Sequence, residues 1–201
     1  TFVISIQNTN VANTLIMIAL SPMLSAVLSF IFLKEIPDKK TWISIIVTTL
    51  SVIYIFYDAM DAGDMLGNAL GLLTALGLAV GAVIVRSTKK INLVPSAMFG
   101  KLLVALVAFY FADNLDLIGS DLTIVPLMSI MCVAIPFVLF TIAPRYITAP
   151  EVNLFFLLET ILGPIWVWLV IKEQPSIETI IGGIVIIATI AIHSTLSLKK
   201  I

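Results

Sequence analysis

Charge is scarce in this chain of 201 residues: 11% of it is Asp, Glu, Lys or Arg, against about 25% in an ordinary soluble domain. Cysteine and histidine are scarcer still, with one of each, Cys132 and His193. One cysteine excludes an internal disulfide and a thiolate metal cluster. Cys132 lies inside an apolar run, where packing or lipid contact accounts for it. The net charge of -1 provides no basic stripe to neutralise phosphates, so nucleic acid is not an expected partner. No Gly-x-Ser-x-Gly elbow, phosphate loop or His-x-x-x-His pair occurs. Every aspartate falls in a loop or at the end of an apolar run. An intramembrane enzyme, a bound metal and a cofactor are therefore not expected. A retinal receptor is excluded by the lack of a lysine deep in the last apolar run. The chain starts at Thr1 with no leader-like segment, and it is expected to begin inside a longer protein.

What the chain does have is apolar surface. Hydrophobic residues make up 60% of it and the mean hydropathy is +1.16. A soluble domain of this length could not bury so much, whereas lipid can. Crossing the hydrocarbon takes about 20 apolar residues. Seven runs qualify or come close: spans A (11–33), B (41–58), C (65–86), D (95–112), E (122–142), F (150–171) and G (177–197). In lipid the backbone must satisfy itself, which makes each span a helix. The alternation of a membrane barrel is absent. The expected fold class is all-α, a polytopic membrane helix bundle of about seven transmembrane helices plus a stub.

Lysine and arginine accumulate on the cytoplasmic side of membrane proteins. Ten of the 11 basic residues fall on one side if the seven spans alternate, with Lys172 alone on the other. The carboxyl-terminal tail, with Lys199 and Lys200, is then cytoplasmic. Lys101 is expected to snorkel from span D to the same surface.

The chain also matches itself at a shift of 138 residues. Residues 34–47 read KEIPDKKTWISIIV and residues 172–185 read KEQPSIETIIGGIV, identical at seven of fourteen positions. The Lys-Glu-x-Pro-x-x-x-Thr core of that match is not a product of apolar composition. In this register A pairs with F and B with G. Each pair is offset by five spans, so the two copies cross the membrane in opposite senses. Inverted repeats of this kind mark secondary transporters. Residues 1–58 are expected to be the remnant of a first copy (the last part of its third span, then two complete spans). Residues 65–201 are expected to be a complete second copy of five spans, from a ten-helix, 5+5 parent.

Further residues carry a family likeness. The stretch from Glu151-Val152-Asn153-Leu154 through Leu158-Glu159-Thr160 to Leu169-Val170-Ile171-Lys172-Glu173 resembles the ninth span of EamA-type proteins of the drug/metabolite transporter superfamily. Gly182-Gly183 resembles the glycine entry to that family's last span. Asn10-Val11-Ala12-Asn13 with Leu20-Ser21-Pro22 resembles its fourth-span pattern. Lys172 stands where glycine is common and Thr160 where proline is common. The resemblance implies movement of small metabolites, often amino acids or their relatives, across a bacterial inner membrane. The expected partners are a small-molecule substrate and membrane lipid. The expected function is secondary transport by alternating access; a non-transporting scaffold or an inactive fragment is the alternative.

Glu159 is the sharpest pathway candidate. It lies nine residues beyond Pro150, about 13 Å along a helix and near mid-bilayer. A carboxylate there costs about 2.5–3.5 kcal/mol on insertion scales. It either meets a substrate amine or a proton, or acts as a protonated acid bonded to a neighbouring helix. Glu151, shallower, is expected to pair with Arg145. Asn10, Asn13, Asn153 and Thr160 add polar groups that line a path or bond between helices. Pro22, and Gly163 with Pro164, are expected to break A and F within the membrane. Small residues at Gly67-x-x-x-Gly71 and Gly77-x-x-x-Gly81 in span C favour close packing inside the chain, with a homodimer as the alternative. His193 is expected to be an interfacial residue.

Overall fold

The computed structural model describes residues 1–9, 11–57, 65–88, 90–111, 119–172 and 176–198. Among them every regular element is a helix and no strand occurs. The stub is α1 (Phe2–Asn8). Span A comprises α2 (Val11–Ile18), α3 (Ser21–Leu28) and a π-helical turn at Ser29–Leu33. Spans B, C and D are α4 (Lys39–Phe56), α5 (Met65–Ser87) and α6 (Val94–Tyr110). Span E runs through α7 (Asp121–Met128), a π-helical stretch at Ser129–Ala134 and α8 (Ile135–Ile142). Span F is α9 (Ala149–Phe156) and α10 (Glu159–Ile171), and span G is α11 (Ile177–Leu198). Five stretches are long and apolar enough to cross a bilayer: 13–33, 39–56, 65–87, 121–145 and 177–197. α6 is a shorter apolar helix, and F comes in two pieces. The protein is an integral membrane helix bundle.

The chain forms two compact units, residues 1–83 with 148–201, and residues 84–147. In the first, α4 packs along α11 and α3 packs against α9. Ile45, Val52, Leu154, Leu157 and Ile186 fill its core. The α4–α11 contact is close because Gly182 has no side chain: a Cβ there would overlap Ile55 and meet the Ser51 carbonyl. Gly67 serves α5 in the same way, since an added Cβ would lie 2.6 Å from Thr9 Cβ. Gly71 backs onto Met17 and Ser5, whereas Gly77 meets nothing within 4 Å. The first small-residue pair thus works inside the chain, as its spacing suggested.

Two interruptions divide spans A and F. In A the helix stops at Ala19 and Leu20, where the Leu20 N–H reaches back only to Met17 O (3.1 Å). Pro22 follows, buried, in the first turn of α3, where its missing N–H does least harm. In F the helix stops at Leu157 and Leu158, whose N–H groups bond Leu154 O and Phe155 O, both at 3.1 Å. Gly163 and Pro164, expected to be the break in F, lie within α10 instead. A proline lacks the N–H of one intrahelical bond, yet the helix starts before both residues and continues through them. The two interruptions stand 138 residues apart. So do Lys34 (φ 55°) and Lys172 (φ 65°), the left-handed non-glycine residues among those described, each closing its span. A left-handed span terminus explains why glycine is common at the position of Lys172.

In the second unit α6 and α7 bury no residue of their own. Arg86 Nη1 donates to Pro144 O (3.1 Å) and Ile147 O (3.3 Å), and Arg145 donates to Ile91 O, which ties the turn after α8 to the loop before α6. Lys101 is exposed. Its ammonium rests over the Phe137 ring, 3.3 Å from the centroid. An aromatic face within reach holds a cation that the apolar surroundings would otherwise repel.

Candidate functional site

The entry to span F is organised by Thr148-Ala149-Pro150-Glu151, a Ser/Thr-x-x-Glu pattern that starts a helix. The Thr148 N–H donates to Glu151 Oε2 (2.8 Å), as does the Thr148 hydroxyl (2.7 Å). The other carboxylate oxygen, Oε1, lies 3.0 Å from Nε2 of His193 on α11. A carboxylate oxygen only accepts, so Nε2 carries the proton of that bond. His193 is 4% exposed, and its Nδ1 has no hydrogen-bond partner among the described residues. Ser197 Oγ sits 3.5 Å from Nε2, too far to compete. Glu151 therefore pins the start of F to the end of G, and the expected partnership with Arg145 is replaced. The guanidinium of Arg145 is engaged by the loop carbonyl of Ile91.

Two residues further along α9 stands Asn153, fully buried, with neither Oδ1 nor Nδ2 bonded among the described residues. α9 packs against α3, which carries Ser21 and Ser25, while Ser29 opens the turn that follows. At four-residue intervals these serines share one helix face. All three are at most 1% exposed, and their hydroxyls are likewise unbonded among the described residues. An unsatisfied buried polar group costs about 1–3 kcal/mol. Four such side chains in two packed helices are an expensive lining for a purely structural contact, and a serviceable one for a polar solute.

The interruption in A is braced from α4, where the Thr49 hydroxyl donates to Ala19 O (3.3 Å). Position 187, the counterpart of Thr49 at a shift of 138, is Ile187, which has no donor to offer.

The other pathway candidates are dispersed. Glu159 is exposed in the first turn of α10, where the amide dipoles of a helix start favour an anion. Asn13 is buried on α2 and donates to Thr9 Oγ1 (3.3 Å). It belongs to a polar cluster that ties the stub to α2 and α5, along with the Ser5–Thr14 bond (2.8 Å) and the Ser5 bond to Gly67 O (2.7 Å). Asn10 lies outside the described residues, as do the side chains of Thr160, Gly163 and Pro164. Sequence reasoning missed His193 as a partner, and it missed the serines. The serine spacing was a readable signal. For His193 the signal was depth: F begins, and G ends, on the same side of the membrane.

No cluster of three or more His, Cys, Asp or Glu side chains suited to a metal occurs among the described residues. The family model of EamA-like transporters matches residues 1–57 and 65–195. The chain belongs to the EamA-like transporter family. No curated protein matches it. In an EamA-like chain the interrupted spans, the Glu151–His193 link and the serine face belong to a membrane transporter of the drug/metabolite superfamily.

Proposed function

We propose that this EamA-like chain moves a small polar metabolite, an amino acid or a relative of one, as a secondary transporter working by alternating access. The observation that carries the reading is the buried polar lining of α9, α3 and the turn after it: Ser21, Ser25, Ser29 and Asn153, unbonded among the described residues and near interruptions that recur at one register. At both interruptions the backbone stays right-handed and its bonds shift to three residues back, and broken helices typify transporter sites. Two copies of one unit, 1–58 and 65–201, crossing in opposite senses, support the exchange between outward-open and inward-open states. The two stretches matched by the family model divide at the same place. Glu159, exposed near mid-span, is the group to meet a substrate amine or a proton, with Asn153, Thr160, Asn13, Glu151 and Asn10 along the path. The membrane is a bacterial inner membrane and the carboxyl terminus is cytoplasmic, the reading favoured by the distribution of basic residues.

The test is flux of labelled amino acids in vesicles that hold the full-length gene product and no nucleotide. Flux should persist without ATP. Glu159→Gln should lower it about tenfold, equivalent to about 1.4 kcal/mol, with membrane insertion unchanged. Strict dependence on ATP defeats secondary transport, and wild-type flux in the Gln variant removes Glu159 from the path.

A further inference from the structure

The second unit holds a cavity of about 690 Å³ between α6 and the end of span E. That is the size of a ligand pocket, and its wall is almost wholly apolar. Val94, Met98, Leu102, Ala105, Val133 and Val138 are among its apolar residues, with Ser129 and Thr141 as minor polar points. One cation stands in the wall, Lys101, and no lining residue is acidic. The ammonium faces the Phe137 ring on one side, which leaves its positive charge without an opposite charge among the residues of the cavity.

The amino-terminal end of α6 carries further charge of the same sign. Helical side chains lean toward the helix amino terminus, so Lys101 reaches toward the Val94 end of α6. At that end lie Lys90, Arg86 and Arg145, and the Arg145 bond to Ile91 O places the turn after α8 beside the loop before α6. The acidic residues of 84–147 are Asp113, Asp116 and Asp121, all between the far end of α6 and the start of α7. The unit is thus positive at one end, with an apolar slot running inward from it. Basic residues near a membrane surface attract anionic lipid, and an apolar slot of this size accepts an acyl chain.

We propose that this cavity is a binding site for one anionic phospholipid, with Lys101 holding the head group and the space between α6 and α8 holding an acyl chain. The site shares no residue with the polar lining of α3 and α9, and it stands whether or not that lining carries solute.

The experiment places the full chain in nanodiscs of phosphatidylcholine with a minor share of phosphatidylglycerol and counts co-purifying lipids by native mass spectrometry. The wild type should retain phosphatidylglycerol about fivefold above its bulk share, the effect of one basic residue near the surface. Lys101→Gln should bring that ratio to the bulk value, and Lys101→Arg should restore it. Ala105→Trp, which fills the slot, should lower retention of both lipids. Lys39→Gln, a basic residue of the other unit that does not line the cavity, should retain the wild-type ratio. Helix content by circular dichroism establishes that each variant is folded. An unchanged ratio in a folded Lys101→Gln variant overturns the proposal. So does complete displacement of the phospholipid by equimolar laurate, which would make the occupant a soluble amphiphile.

Discussion

Glu151 shows how one carboxylate can be both a helix start and an interhelical tie. Its Oε2 is held by Thr148 and its Oε1 by His193. Replacing the imidazole leaves a half-buried carboxylate oxygen without its partner, and such a loss costs about 1–3 kcal/mol. His193→Ala should therefore lower the stability of the detergent-solubilised protein by that amount in thermal or denaturant unfolding. Thr148→Ala should cost about 1 kcal/mol, the worth of a helix cap. If His193→Ala unfolds with the wild-type midpoint, the 3.0 Å contact contributes nothing to holding F against G. Lys34 and Lys172 run the other way at this scale. A left-handed backbone at a residue with a Cβ costs about 1–2 kcal/mol, and both spans accept it where a glycine would be free of it.

Helix α11 lies along α4 through one point of close approach, Gly182 on Ile55. Gly182→Val should cost about 1–3 kcal/mol as an overpacked contact. Gly77→Val, with open space around it, should stay within about 0.5 kcal/mol of wild type. Unfolding of the two variants side by side checks the contrast; equal losses would mean that α5 and α11 are limited by something other than helix approach. The elements themselves were largely legible. Hydropathy alone placed span A at 11–33 and span G at 177–197, and the helices end at Leu33 and Leu198. The interruption in F was not legible at its true position. Gly163-Pro164 was the visible breaker, but the stop lies at Leu157 and Leu158, among apolar residues that look like any helix interior. Only the register with Ala19 and Leu20 carries that information. In the same way, nothing in Glu151 names His193, 42 residues away, because the partnership arises from which spans become neighbours. The unbonded Asn153 was visible as a polar residue in an apolar run, although its lack of a partner is a property of packing alone.

At the scale of the whole molecule the decisive prediction concerns sidedness. Lys34 and Lys172 close two spans with the same backbone conformation, and the inverted arrangement requires them on opposite faces of the membrane. In a Cys132→Ser background, Lys172→Cys should react with an impermeant maleimide on intact cells. Lys34→Cys should react only after permeabilisation. Labelling of both from one side would end the inverted reading and the alternating-access scheme built on it. The divided span F has a mechanical consequence as well. With 8 and 13 residues, α9 and α10 reach about 12 Å and about 20 Å, each short of the ~30 Å hydrocarbon layer. Neither strut can bridge the bilayer alone, so the insertion machinery must handle them as one segment, while a bending force meets a joint. A rigid rod answers a thinner or thicker bilayer by tilting. Span F can answer by bending at Leu157 and Leu158, where its bonds run three residues back instead of four.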